Sequence, residues 1–279
     1  LASRPADSFR TYRIAIAATG EYAQRVGGTK SAALASVVTT VNRLNQVFER
    51  DLSVHLELVE DNDRLIYTSP SGDPYSNEDA SAMVEENIVN INDTIGSDNY
   101  DIGHVFGTGN TGGLAFLSSA CGTYKAGGVT GSNTPSGDAF NIDYVAHEIG
   151  HQLGASHTFN GRQLNCSAGN RAAESSVEPG SGSSIMGYAG ICGTDNLQSN
   201  SDAFFHSVSI NQIKTYTQGS AGSNCGVLTL QNNNNPTVSA GADYTIPAET
   251  PFKLTGTTSD SNTDPLLHSW EQRDTSTTR

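Results

Sequence analysis

The segment Thr11-Tyr-Arg-Ile-Ala-Ile-Ala-Ala18 alternates in side-chain character and predicts a first strand. Between residues 29 and 50, Leu34, Val37, Val38, Val41, Leu44 and Phe48 fall on one helical stripe. Val54-His-Leu-Glu-Leu-Val59 returns to period 2, as a strand with one buried face should. Asn77 to Ile95 reads as a second helix through Met83, Ile88 and Ile91, Tyr100 to Phe106 as a short strand, and Gly113 to Leu117 as another. Asn141 to Leu153 predicts a third helix. The order strand, helix, strand, helix, strand, strand, helix implies an α/β fold, a mixed sheet with helices packed on it.

Periodicity then stops. From Phe159 to Ser183 the chain is rich in Gly, Ser and Asn and predicts loop. Ser209-Ile-Asn-Gln212 has the form of a capping box and predicts a closing helix to about Tyr216. At Gln231-Asn-Asn-Asn-Asn-Pro236 four asparagines before a proline read as a linker. The organisation expected is a catalytic domain over 1–230, a linker over 231–235 and a β-rich segment over 236–279.

The chemistry is concentrated in His147-Glu-Ile-Gly-His-Gln-Leu-Gly-Ala-Ser-His157. Residues four apart share a helix face, so His147 and His151 can aim both imidazoles at one point. Glu148 follows the first of them, where its carboxylate can reach a water at the metal without displacing a ligand. Gly154 accepts positive φ and lets the chain leave the helix sharply, which brings His157 back as a third ligand. Three neutral imidazoles with one open position describe a catalytic zinc site, whereas structural zinc sites are closed by four protein ligands. The bland alternative is an amphipathic helix with surface histidines.

The extended motif with its Gly and third His is far more specific than the bare H-E-x-x-H. Downstream lies Ser184-Ile-Met-Gly-Tyr188, and Met186 is one of two methionines in the chain. Together these motifs resemble the metzincin clan of zinc endopeptidases, in which a methionine-containing turn underlies a three-histidine zinc site. Tyr100-Asp-Ile-Gly-His104, Gly113-Leu-Ala-Phe116 with Cys121 shortly after, and Ser184-Ile-Met-Gly-Tyr-Ala-Gly-Ile-Cys192 look most like bacterial reprolysin-like, adamalysin-related secreted proteases. The resemblance covers roughly residues 10 to 228. Thr158, after the third histidine, departs from the Asp of adamalysins, the Glu of astacins, the Pro of serralysins and the Ser of matrixins.

The resemblance implies a twisted mixed sheet above a zinc cleft, with a loop-rich lower subdomain. It implies zinc held by His147, His151 and His157, and a water activated by Glu148 for attack on peptide bonds of protein or peptide substrates. Met186 would pack beneath the metal, since a thioether is a poor zinc ligand beside three imidazoles. Tyr188 stands where astacins, serralysins and pappalysins place a tyrosine that reaches the zinc or the transition state; lining the pocket wall is its plainer role. Gly113, Leu114, Ala115 and Phe116 would form the edge strand that pairs with substrate, with a buried core strand as the alternative. Asp101 falls where adamalysins carry a calcium ligand, and Asp61-Asn-Asp63 is a second acidic turn, so calcium is a secondary expectation. Beyond the linker, 236–243, 252–256 and 267–272 resemble the opening strands of a PKD-like or immunoglobulin-like sandwich with Trp270 as core aromatic. That fold needs about 80–100 residues, so the segment is expected to continue beyond residue 279.

Lys and Arg total 15 against 29 Asp and Glu, a net charge of −14. That balance argues against nucleic acid and anionic membranes as partners. No apolar run approaches the roughly 20 residues needed to span a bilayer. Leu1 in place of an initiator Met reads as a processed or engineered terminus, and clan relatives are secreted after losing a signal peptide and a pro-segment. Action as a monomer is expected. The four cysteines Cys121, Cys166, Cys192 and Cys225 include no C-x-x-C pair, so disulfides are the reading in an exported protein, with free buried thiols as the alternative. Three pairings are open from sequence. Resemblance to adamalysins suggests Cys121 with Cys225, which leaves Cys166 with Cys192. Two rival functions stand beside a secreted metalloendopeptidase: a zinc amidase acting on cell-wall peptide, and a catalytically silent adhesion module that keeps the metzincin fold. Retention of Glu148 speaks against the silent module.

Overall fold

The computed structural model describes residues 8–109, 111–167 and 169–275. Its main sheet has the order β2-β1-β3-β5-β4, built from β1 (Ser8–Ala18), β2 (Val54–Leu58), β3 (Ile102–Gly107), β4 (Gly112–Ala115) and β5 (Gly128–Gly131). A sixth strand, β6 (Val227–Leu230), pairs antiparallel with the start of β1. β1 runs parallel to β2 and β3, and β3 parallel to β5, while β4 is antiparallel to β5 and, among the described residues, has no strand on its other side.

Alternation along β1 sorts the core into two layers. Tyr12, Ile14 and Ile16 face helix α2 (Lys30–Leu52), whose Val37, Val41, Leu44 and Phe48 are buried against them. Ala15 and Ala17 face the other way, packing with Val105, Val129 and the Met83, Val84 and Ile91 of helix α3 (Ala80–Thr94). Thr29 caps α2 by accepting from Ala32 N, and Asp79 caps α3 by accepting from Ser81 N and Ala82 N. The second helix therefore starts later than position 77. Asn77 instead holds Thr108, accepting from its backbone N and donating to its hydroxyl.

Three pieces were not visible in the hydrophobic pattern, β6 among them. A short helix α1 (Gly20–Arg25) follows β1, and β5 has only four residues, two of them glycines. A Cβ on Gly128 would sit 2.5 Å from both Gln152 Oε1 and His104 Nδ1, so helix and strand approach too closely for any side chain there.

A short turn α4 (Asp138–Phe140) leads through a wide π-helical stretch, Asn141–Ala146, into α5 (His147–Gln152). Ile142, Val145, Ile149 and Leu153 bury this run on the same face of the sheet as α2. α6 (Ser207–Gly219) closes the domain, with Tyr216 Oη donating to the carbonyls of Ser118 and Ala120. The expected capping box is corrected here. His206 is the N-cap and accepts from Val208 N, Ser209 is buried inside the helix, and Gln212 accepts from Ser156 N instead. Ser207 N is already met by Glu271, so the box has no role to fill.

Past the asparagines, β7 (Thr237–Ser239) and β8 (Thr257–Ser259) form a separate antiparallel pair. Among the described residues, 252–256 and 267–272 contain no strand, and Trp270 is 56% exposed rather than a core aromatic.

Candidate metal centre and cleft

The Nε2 atoms of His147, His151 and His157 lie 3.1 Å from one another in all three pairings. Each Nδ1 faces a carbonyl: Ile185 O at 2.7 Å, Ala155 O at 2.6 Å and Asn170 O at 2.5 Å respectively. A carbonyl can only accept, so each Nδ1 carries the proton and each Nε2 turns a lone pair to the common centre. Burial first lowers the basicity of all three rings. His147 falls well below the usual imidazole range, helped by its two neighbours, His151 falls to about 4 and His157 to about 3.

Three neutral acceptors in mutual contact, with no donor between them, repel unless a cation joins them. Their separation is less than twice the ~2.0–2.1 Å zinc–nitrogen distance, so one ion can touch all three. Carbonyl partners on the far nitrogens are the usual support for metal-bound imidazoles. The residues fit zinc. Among the described residues, this is the one cluster of three or more His, Cys, Asp or Glu able to hold a metal.

Gly154 has φ of +100° and ends the helix, and a Cβ there would press on Tyr216. That exit carries His157 back to the other two. Met186 is fully buried, and a Cβ on Gly150 would come 2.7 Å from its sulfur. The thioether thus lies against the helix between the two ligands it carries. Tyr188 stacks on Phe159 at 4.6 Å and meets the His157 ring edge-on at 4.5 Å. Burial raises its phenol well above the ordinary range, so it keeps its proton as a donor.

Glu148 is buried, and burial pushes its carboxyl up to about 8. Its carboxylate rests on the α-carbon of Gly113, where any Cβ would overlap it. Gly113, Leu114 and Ala115 therefore bring the open sheet edge beside the histidines, while Phe116 follows the strand and stacks edge-on against Tyr124. Leu114 and Phe116 also pack partly onto the α3 side of the sheet.

Cys121 is joined to Cys225 across 104 residues, and Cys166 to Cys192 across 26. The second bridge, with Phe159 and Tyr188, forms a small apolar cluster under the third histidine. Asp101 is buried with both carboxylate oxygens engaged by Arg13, so a guanidinium already supplies the cation at that position. In the Asp61–Asp63 turn, Asn62 is turned inward onto Ile16, and Asp63 meets Lys30.

Three contributors were not singled out from sequence. Glu178 is buried and accepts from Thr158 Oγ1 and Ser184 Oγ at 2.5 Å each, and from the backbone N of Ser183 and Ser184 at 2.9 and 3.0 Å. It ties the residue after His157 to the turn carrying Met186. Gln152 accepts from His104 and donates to the carbonyls of Gly103 and Lys125, fixing the helix to β3. Asp143, one turn before His147, accepts from Ser201 N and lines the cleft. Helical spacing from His147 could have marked Asp143; Glu178 lies in loop sequence without any periodic signal.

A three-histidine centre on a helix, beside an open sheet edge and above a buried methionine, defines a zinc metallopeptidase class. Residues 8–217 match the family model of the Reprolysin-like metallopeptidases of family M12B, and the chain belongs to that family. Family and histidine triad together indicate protein or peptide substrates. No curated protein shows significant similarity to the chain.

Proposed function

We propose that this protein is an extracellular zinc metalloendopeptidase that cleaves extended segments of protein substrates. The observation that carries the reading is the set of three Nε2 lone pairs 3.1 Å apart, each fixed by a carbonyl on its Nδ1. His147, His151 and His157 would hold the ion. When bound, zinc supplies Lewis acidity to the scissile carbonyl and acidifies a water.

The rest falls to the chain's own groups. Glu148 takes the proton from the attacking water and hands it to the departing amine, and its position against Gly113 beside the histidines suits both halves of that transfer. β4 offers unpaired backbone groups, so a substrate adds as one more strand with its scissile bond over Gly113 and Glu148. Tyr188 keeps its phenolic proton and donates it in a hydrogen bond to the carbonyl oxygen as charge builds there. Met186 packs under the ligand helix. The two disulfides support an oxidising, extracellular setting, and no described helix is long and apolar enough to cross a membrane. The β7–β8 pair supports reading 236–279 as part of a PKD-like or immunoglobulin-like module, with 231–235 as its linker.

Glu148→Gln tests the assignment. Casein hydrolysis is expected to fall by at least ~10²–10⁴, with zinc content unchanged because Glu148 is not a ligand. Near-normal turnover in this variant would remove Glu148 from the reaction.

A further inference from the structure

The cleft has two sides that differ in charge. On one side a cavity of about 580 Å³ extends from Thr111–Gly113 past His147 and Glu148 to Asp143, walled by Tyr188–Ile191 and Ser199–Ser201. Its charged side chains are Asp143 and Glu148. The other side runs from Gly113 to Leu117, shares Glu148 and adds Arg171.

Asp143 is half-buried. It accepts from Ser201 N at 2.8 Å, and no cation among the described residues lies within ion-pairing distance of it. Burial raises its carboxyl to about 6, so it is still largely ionised at neutral pH and gains from a cationic partner. The cavity is of the size that takes a ligand side chain, and among its lining residues Ser201 hydrogen-bonds the carboxylate but none supplies a cation to it.

Strand direction says which substrate residue enters. β4 runs from Gly112 at the Asp143 cavity to Ala115 at the Arg171 side. Antiparallel pairing is the stronger form of strand addition, and a strand so added runs the opposite way. Residues before the scissile bond then lie on the Arg171 side, and those after it enter the Asp143 cavity.

We propose that this cavity is the specificity pocket for the residue immediately after the scissile bond, and that Asp143 selects lysine or arginine there. The proposal rests on the zinc-peptidase reading and names the substrate class of that site. Asp143 is thereby a specificity-determining residue rather than only a tie to Ser201.

The test is digestion of a proteome-derived peptide library by the zinc-loaded full chain, wild type and Asp143→Asn. The asparagine keeps volume and an acceptor for Ser201 N. Wild type is expected to favour Lys or Arg directly after the cut by ~30-fold or more over Leu, since truncating a buried charge pair typically has effects of that order. In Asp143→Asn this preference should collapse, while a peptide with Leu at that position is cut within about threefold of the wild-type rate. A substrate-side arm needs no variant. Acetylating the lysine of a good substrate should lower kcat/KM for the wild-type enzyme by about the same factor. Cleavage with no basic preference, a basic preference before the bond, or a preference that survives either Asp143→Asn or acetylation would overturn the proposal and leave the peptidase reading standing. No cleavage of any peptide by zinc-loaded protein would remove both.

Discussion

Two of the three imidazoles stand on α5, whose opposite face is sealed by Ile142, Val145, Ile149 and Leu153 in the continuous core beneath the sheet. The third stands on the segment from Ala155 to Phe205, whose own apolar cluster is Phe159, Cys166 and Cys192 with Tyr188 packed on it. Ala155, Ile185, Met186 and Phe205 tie that segment into the main core as well, and directed polar contacts hold the rest of it. Glu178 alone accepts from four donors there, and Asp195 accepts from Arg162 N while its carbonyl accepts from Ser181 N. One metal centre is thus held from above by non-directional burial and from below by hydrogen bonds and a disulfide. The upper half should tolerate volume-conserving changes, and the lower half should fail when one polar atom is removed.

The strongest way to break that contrast is Glu178→Ala. It strands four donors, three of them on the Met186 turn, and each unmet buried donor costs about 1–3 kcal/mol. A loss of at least about 4 kcal/mol in urea denaturation is expected, with Glu178→Gln losing less because one acceptor remains. A loss under about 1 kcal/mol for the alanine variant would show that the lower half does not depend on this carboxylate.

A second test is acid titration of stability through the upper half. His104 is buried between Gln152 and Thr130, and burial lowers its pKa to about 4. Between that value and the ~6.5 of a solvated imidazole, the unfolded chain holds a proton that the folded chain refuses. Its contribution is therefore complete above about pH 6.5, declines by up to about 3 kcal/mol as pH falls through the window, and is constant below about 4. The difference in stability between wild type and His104→Gln should shrink across that window; a pH-independent difference would contradict a neutral buried imidazole.

Of about the same size is removal of the lower bridge by Cys166→Ser with Cys192→Ser. Closing a loop of 26 residues is worth about 3 kcal/mol in the chain-entropy model. Zinc affinity is expected to fall with stability, because the bridge lies under Phe159 and Tyr188, which touch His157. An unchanged denaturation midpoint would mean the hydrogen bonds suffice without it.

The same contrast explains what could be read before folding. Ile14 and Ile16 of β1, Val37 to Phe48 of α2 and Ile91 of α3 carry the 2.0 and 3.6 periods, because burial acts on whole faces. The motif from His147 to His157 needed only local spacing, since its geometry is helical up to Gly154. β5 was hidden because Gly128 answers to Gln152 and His104 and Gly131 to Thr111, residues distant in sequence. Glu178 was hidden for the same reason: a loop carboxylate is identified by the donors that surround it, and those come from Thr158 and Ser184. The capping-box pattern at Ser209 failed because tertiary partners at His206 and Glu271 fixed the helix start first.

Peptide hydrolysis is proposed to depend on zinc held by the three imidazoles of His147, His151 and His157. Metal analysis of purified protein, run alongside casein hydrolysis before and after chelation, measures this directly. The account predicts about one zinc per chain, loss of hydrolysis when the metal is stripped, and its return on adding zinc. Full hydrolysis by metal-free protein, or near-zero zinc in an active sample, would contradict it.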